Sequence, residues 1–263
     1  MASWRLGSVG LKMAGTVYLV GAGPGAADLL TLRAARLLEN ADIVFHDALV
    51  DRQTLALARH AVLVPVGKRC GKLSTAQRFI NKQLVDAARR HEVVVRLKGG
   101  DPMLFGRARE EIEALRAAGV AVEVVPGVSA AFAASADLLQ SLTERGMSRS
   151  VLFLTPRVGD GEPSHDWARP AAAADTVVLY MASRQAEAIA AALLAAGVPP
   201  SRPAVFVENA SLPARRIAPT RVGDLPHAAA LLGEGPALLL VGEVYEDIVS
   251  AAERKAQPLR CIA

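Results

Sequence analysis

Residues 17–32 read VYLVGAGPGAADLLTL. An apolar, β-branched run passes through a glycine-rich turn into leucines at helical spacing, the opening of a βαβ unit. Gly21, Gly23 and Ala26 fit G-x-G-x-x-G/A, and Asp47 follows at about the distance at which a dinucleotide fold holds a ribose. Two residues run against a pyrophosphate. Pro24 removes a backbone donor inside the loop. Asp28, read as the cap of the following helix, puts negative charge where phosphates would lie. The loop serves a dinucleotide, another nucleotide-like ligand, or only the turn itself.

Working outward, the first half alternates strand and helix. Apolar runs at 16–20, 42–46, 61–65, 92–97 and 121–126 predict strands, separated by helical patterns such as 29–40 and 74–90. In the latter, Ser74 and Gln77 have capping-box spacing, and Ala76, Ile80, Leu84 and Ala87 share a face. Such alternation predicts a parallel sheet covered by helices, with ligands beyond the carboxyl ends of its strands. After Pro126-Gly127 an Ala-rich helix begins, which places a junction within 127–148. The second half predicts strands at 151–155, 176–181, 204–209, 215–220 and 236–242, with 204–220 a hairpin. One long helix, 186–198, is legible there, so a mixed sheet is expected. The expectation is an α/β chain of two domains, 16–127 and 128–250, with 1–15 and 251–263 as flexible tails.

The 263 residues suffice for two such cores. Hydrophobic residues make up 52% but aromatics only 4%, which suits Ala-rich helices packed closely on sheets. No apolar run approaches the ~18 residues of a membrane span. Arg5 and Lys12 are followed by no continuous apolar stretch, so no secretory signal is read. Cys70 and Cys261 make neither a disulfide framework nor a metal-ligand pair, and the five histidines show no ligand spacing. The expected setting is cytoplasmic, without a metal. The net charge of +4 comes from scattered Lys and Arg without interleaved aromatics. That argues against a nucleic-acid partner and suits a cleft for an acidic small molecule.

A second motif, RLKGGDPMLFGRAREEIEAL at 96–115, carries more chemistry. A strand ends in Gly99-Gly100-Asp101-Pro102, a backbone able to approach a ligand closely beside a carboxylate. Arg107 and Glu110 then share a helical face, as do Arg109 and Glu113. A salt-bridged helix start accounts for Arg109 and Glu113. It does not account for the turn followed by Met103-Leu104-Phe105.

GAGPG, VGKR (66–69), RLKGGDPMLFGR, VVPGVSA, LTER (142–145), VVLYM and GPALLLVGEV occur in the order and spacing of the tetrapyrrole methylases, which the chain resembles from about 16 to 245. The resemblance implies two α/β domains with S-adenosylmethionine in the cleft between them, S-adenosylhomocysteine as product, and a homodimer. By matching positions the cofactor would meet Pro24, Gly99, Gly100, Asp101, Leu104, Ser129, Ala130, Met181, Ala210 and Ala237. The implied acceptor is uroporphyrinogen III, methylated through precorrin-1 to precorrin-2 for sirohaem, cobalamin or haem d1. Arg107 and Arg145 are the matched positions for its carboxylates. Glu110 would orient Arg107 or take part in proton removal, and Asp47 and Lys68-Arg69 are further cleft positions.

The likeness is weaker on the acceptor side. Glu144 stands where the family usually has His, and Thr155-Pro156-Arg157 where it has Thr-Gly-His. Ser129 and Ala210-Ser211 replace Thr and Gly-Thr, Phe132 adds bulk beside Ser129, and the usual Gly-Ile-Pro is missing before Thr143. Three alternatives stay open: a methylase with a changed acceptor, an NAD-linked oxidoreductase, and a non-catalytic ligand-binding relative.

Overall fold

In a computed structural model that describes residues 15–66, 73–156 and 165–256, the five runs of the first half form one sheet. Strands β1 (Thr16–Gly21), β2 (Ile43–His46), β3 (Val62–Pro65), β4 (Val93–Lys98) and β5 (Ala121–Val125) lie in the order β3-β2-β4-β1-β5, all parallel. Helices α1 (Leu32–Glu39), α2 (Arg52–Leu55), α3 (Leu73–Ala88) and α4 (Ala108–Ala117) supply the crossovers that parallel pairing requires. Val17, Leu19 and Val94 pack on one face with Leu84 of α3 and Leu115 of α4. Val20, Val44, Val95 and Leu97 pack on the other with Ala34 and Leu38 of α1. Because every strand runs the same way, the loops after Gly21, His46, Lys98 and Val125 all emerge at one end.

The second sheet contains β6 (Val151–Leu154), β7 (Thr176–Tyr180), β8 (Pro203–Glu208), β9 (Arg216–Arg221) and β10 (Ala237–Gly242), in the order β6-β7-β10-β8-β9. Only β6 and β7 pair in parallel, so the sheet is mixed, and β8 with β9 is the expected hairpin. Helices α5 (Ala130–Leu138) and α9 (Glu246–Ala256) cover one face with Ala131, Ala134 and Val249, joined by Tyr245 of the short turn before α9. Helices α6 (Ala168–Ala173), α7 (Ala186–Ala195) and α8 (Leu225–Ala230) cover the other with Ala171, Ile189, Leu193 and Leu225. Every residue of β8 and β10 is buried. Each large apolar side chain hidden there contributes about 1.5–3 kcal/mol.

Local expectations need correction. Asp28 lies in a short 3-10 turn, Ala27–Leu29, and caps nothing; α1 is capped by Thr31, whose Oγ1 accepts from Ala34 N at 3.2 Å. Helix α3 already includes Ser74, and Gln77 donates to Glu111 and Asn81 instead of reaching back to a cap. Residues 251–256 continue helix α9, which is anchored on the second sheet by Ile248 and Val249. Gly15 is likewise held, its N–H donating to Ala88 O at 2.7 Å. Met181 falls outside β7, in a left-handed conformation at φ 57°. Residues 1–14 and 257–263, Lys68, Arg69 and Arg157 lie outside the described residues.

Candidate functional site

The first loops of interest are held together backbone to backbone. Ala22 N donates to Lys98 O at 2.7 Å, and Gly23 and Gly100 exchange two bonds, at 3.2 and 2.7 Å. A Cβ on Gly127 would stand 2.3 Å from the Gly100 carbonyl oxygen and 2.8 Å from Gly21 Cα. Only glycine permits that approach. Asp101 secures the arrangement: Oδ1 accepts from Met103 N at 2.8 Å and Oδ2 from Gly127 N at 3.0 Å. Leu104 N closes the turn on Asp101 O.

The loops of the second sheet meet this group. Strands β7 and β8 both run antiparallel to β10, so Tyr180, Glu208 and the start of β10 at Ala237 lie at one end. Ala26 N donates to Ser211 Oγ at 3.0 Å, and Leu212 occupies the space beside Gly25. The Phe105 ring lies 5.1 Å from that of Tyr180, and the Tyr180 hydroxyl shares a 2.6 Å hydrogen bond with Ser129. Burial raises the Tyr180 pKa, and the Ser129 bond only partly offsets it. The hydroxyl therefore stays protonated at neutral pH.

The opening loop's N–H groups at Ala22, Gly23 and Ala26 are thus committed to Lys98, Gly100 and Ser211. A pyrophosphate would need such donors free. The glycines here serve close backbone contact between three loops.

Pro24, Gly99, Gly100, Asp101, Leu104, Ser129, Ala130, Met181, Ala210 and Ala237 all belong to these converging segments. Ser129 caps α5, its Oγ accepting from Ala131 N at 3.3 Å, with Ala130 the first helical residue. Ala210 precedes Ser211, and Ala237 pairs with Glu208. Among the described residues, six non-glycines have positive φ. Five of them (Phe105, Arg107, Met181, Asn209 and Ser211) sit on these loops. Backbone in that region costs about 1–3 kcal/mol per residue and persists where surrounding structure imposes it, commonly at ligand sites.

Arg107 and Glu110 form a fork-to-fork pair at 2.6 and 2.7 Å, each side chain part-exposed. Arg107 caps α4 in a left-handed conformation rather than lying within it. Arg145 occupies a separate exposed turn, closed by Glu144 and Ser148, and makes no ion pair among the described residues. Asp47, at the end of β2, accepts from Arg96 Nη2 at 2.6 Å.

Arg96 and its neighbours are what sequence reasoning missed. Arg96 Nε donates to Glu111 Oε1 at 3.1 Å, Lys98 Nζ to Glu111 Oε2 at 3.0 Å, and Gln77 Nε2 to Glu111 Oε1 at 3.1 Å, all buried. Burial opposes the charge of Arg96, but Asp47 and Glu111 more than offset it and its pKa is raised. Burial, reinforced by Arg96, lowers that of Lys98. Two cations on one face of an otherwise valine- and leucine-rich strand were the available signal.

The fold and these converging loops define a class. The family model of the tetrapyrrole (corrin/porphyrin) methylases matches residues 16–226, and the chain belongs to that family. It is 43% identical over 239 residues to a uroporphyrinogen-III C-methyltransferase of Pseudomonas aeruginosa, covering 90% of this chain and 97% of that one. It is 45% identical to a siroheme synthase of Psychrobacter, over 89% of this chain and 48% of the relative, so it spans about half the length of such relatives. Its structure matches a uroporphyrin-III C-methyltransferase of Thermus thermophilus, complexed with S-adenosylhomocysteine, with TM-score 0.77 and 40% identity. That match covers 89% of this chain and all of the other. Among the described residues no helix is long and apolar enough to cross a membrane.

Proposed function

We propose that this chain is an S-adenosylmethionine-dependent methyltransferase that converts uroporphyrinogen III through precorrin-1 to precorrin-2. It would work as two α/β units, 16–127 and 128–250, with both ligands in the cleft between their loop ends. A cytoplasmic homodimer is part of the same reading. The observation that carries it is the commitment of the Ala22, Gly23 and Ala26 amides of the opening loop to protein partners. That argues against a pyrophosphate and favours a cation without phosphate, which by the matching positions would lie beside Met181.

S-adenosylmethionine, when bound, supplies an electrophilic methyl on a sulfonium. The chain's residues position and neutralise. Arg107, pre-oriented by Glu110, and Arg145 would each hold an acceptor carboxylate bidentately, which fixes the ring relative to the methyl. As the ring carbon takes the methyl, the pair of the broken bond stays on sulfur and the ring gives up one proton. Asp47 or Glu110, each held by an arginine in the free chain, would receive it. Two rounds on one ring give two added methyl groups. The downstream use, in sirohaem, cobalamin or haem d1, follows the same proposal.

Glu144 favours a second reading, a methylase with a changed acceptor, because it sets a carboxylate beside Arg145. Calorimetry with S-adenosylhomocysteine and with NADH separates the nucleotide classes: binding of the first alone supports the proposal, and binding of NADH alone overturns it. Arg107→Ala and Arg145→Ala should each abolish turnover of uroporphyrinogen III while sparing S-adenosylhomocysteine affinity. Full turnover in both removes their assigned role.

A further inference from the structure

The buried cluster beneath Asp47 has no part in the chemistry above. Taking ions out of water is costly, and apolar side chains of similar volume usually serve stability as well or better. Charge kept at this depth answers another requirement. Every nitrogen of the Arg96 guanidinium is placed: Nη2 on Asp47, Nε on Glu111 and Nη1 on Leu97 O at 3.1 Å. From Glu111 the bonds run onward through Gln77 to Asn81, whose Nδ2 donates to the Glu110 carbonyl at 3.2 Å. One point therefore leads in one direction to Asp47 and in the other to the turn of α4 that carries Glu110 and its partner Arg107.

We propose that Arg96 and Glu111 are positioning residues whose buried ion pair sets the Asp47 carboxylate and the Arg107–Glu110 pair at a fixed separation on the acceptor side of the cleft. This rests on the reading that those three residues face the acceptor. Lys98 completes the balance, two cations against Glu111 and Asp47, so that Glu111 remains fixed between strand and helix. Asp47 reaches outward and is the most exposed member, at 32%.

The test uses the full chain with S-adenosylmethionine and uroporphyrinogen III, comparing Arg96→Lys, Asp47→Asn and the double variant. A lysine ammonium has no fork to span both carboxylates. Each single change should lower kcat roughly ten- to a hundredfold, with S-adenosylhomocysteine affinity unchanged. The double variant should be no slower than the slower single, because both act through one carboxylate. If Arg96→Lys keeps wild-type kcat while Asp47→Asn loses it, Asp47 keeps its role and the positioning proposal falls. Multiplicative losses in the double variant overturn it too. Full activity in Asp47→Asn removes the acceptor-side reading itself, and the proposal with it. Should Arg96→Lys also lose S-adenosylhomocysteine binding, Arg96→Met/Lys98→Met/Glu111→Leu decides. That variant removes all three charges together. Retained binding with depressed kcat supports the proposal, and restored kcat overturns it.

Discussion

Ser211 accepts the backbone N–H of Ala26 on its hydroxyl at 3.0 Å, tying the first loop of the parallel sheet to a loop of the mixed sheet. The tie is itself held, because Ser211 N donates to Asp137 Oδ2 at 2.7 Å. Beside it a Cβ on Gly25 would lie 2.8 Å from Leu212 Cγ. The glycine-rich loop that reads like a nucleotide cradle is here a docking surface for the other half of the chain.

Ser211→Ala leaves the Ala26 N–H without its partner. Stability should fall by about 1 kcal/mol, the usual net worth of such a bond. The denaturation midpoint reports it, and an unchanged midpoint means that water replaces the hydroxyl at no cost.

Gly127→Ala is far more severe. Its new methyl would meet the Gly100 carbonyl and Gly21 Cα, backbone on both sides that cannot swing away. A loss on the order of 4 kcal/mol or more is expected, enough to leave little folded protein. Circular dichroism of the purified variant would show it.

Acid should loosen the C-terminal helix first. Arg221 bonds Glu246 at 3.0 Å through each of two nitrogens and Glu253 at 2.6 and 2.9 Å. The Arg221 bonds, with help from Ser250, hold the Glu246 carboxyl at about 2, below its ordinary 4.5. A folded value below the unfolded one means stability is fully present above about pH 4.5 and is lost as pH falls toward 2. Arg221→Met should flatten the stability profile in that window by lowering stability near pH 8, where the pair is at full strength, while changing it little below about pH 2.

Much of this fold was legible. Short apolar, β-branched runs between helical patterns implied one parallel and one mixed sheet, and spacing alone paired Arg107 with Glu110 and Arg109 with Glu113. The buried network was not legible, because Glu110 and Glu111 are adjacent carboxylates in one helix and sequence does not say which turns inward. Their partners sit on β4, where alternation puts Arg96 and Lys98 on the face that meets α3 and α4. Only the packing of helix on strand brings Glu111 to them. Asp28 was misread as a cap because a short 3-10 turn precedes α1, leaving that position to Thr31.

Arg109 gives the contrasting expectation. Its pair with Glu113 lies in open solvent, where water and salt screen it. Arg109→Ala should leave both turnover and the unfolding midpoint as they are, and a clear loss of either would give that surface a role that its geometry does not.

The proposed activity is carbon methylation of a porphyrinogen in the cleft between the two sheets. It is tested most directly by incubating the purified chain anaerobically with S-adenosylmethionine and freshly reduced uroporphyrinogen III, then measuring the product's mass. A gain of two methylene units is expected, with one at early times. S-adenosylhomocysteine binding without any gain in mass would contradict it and point to a different acceptor.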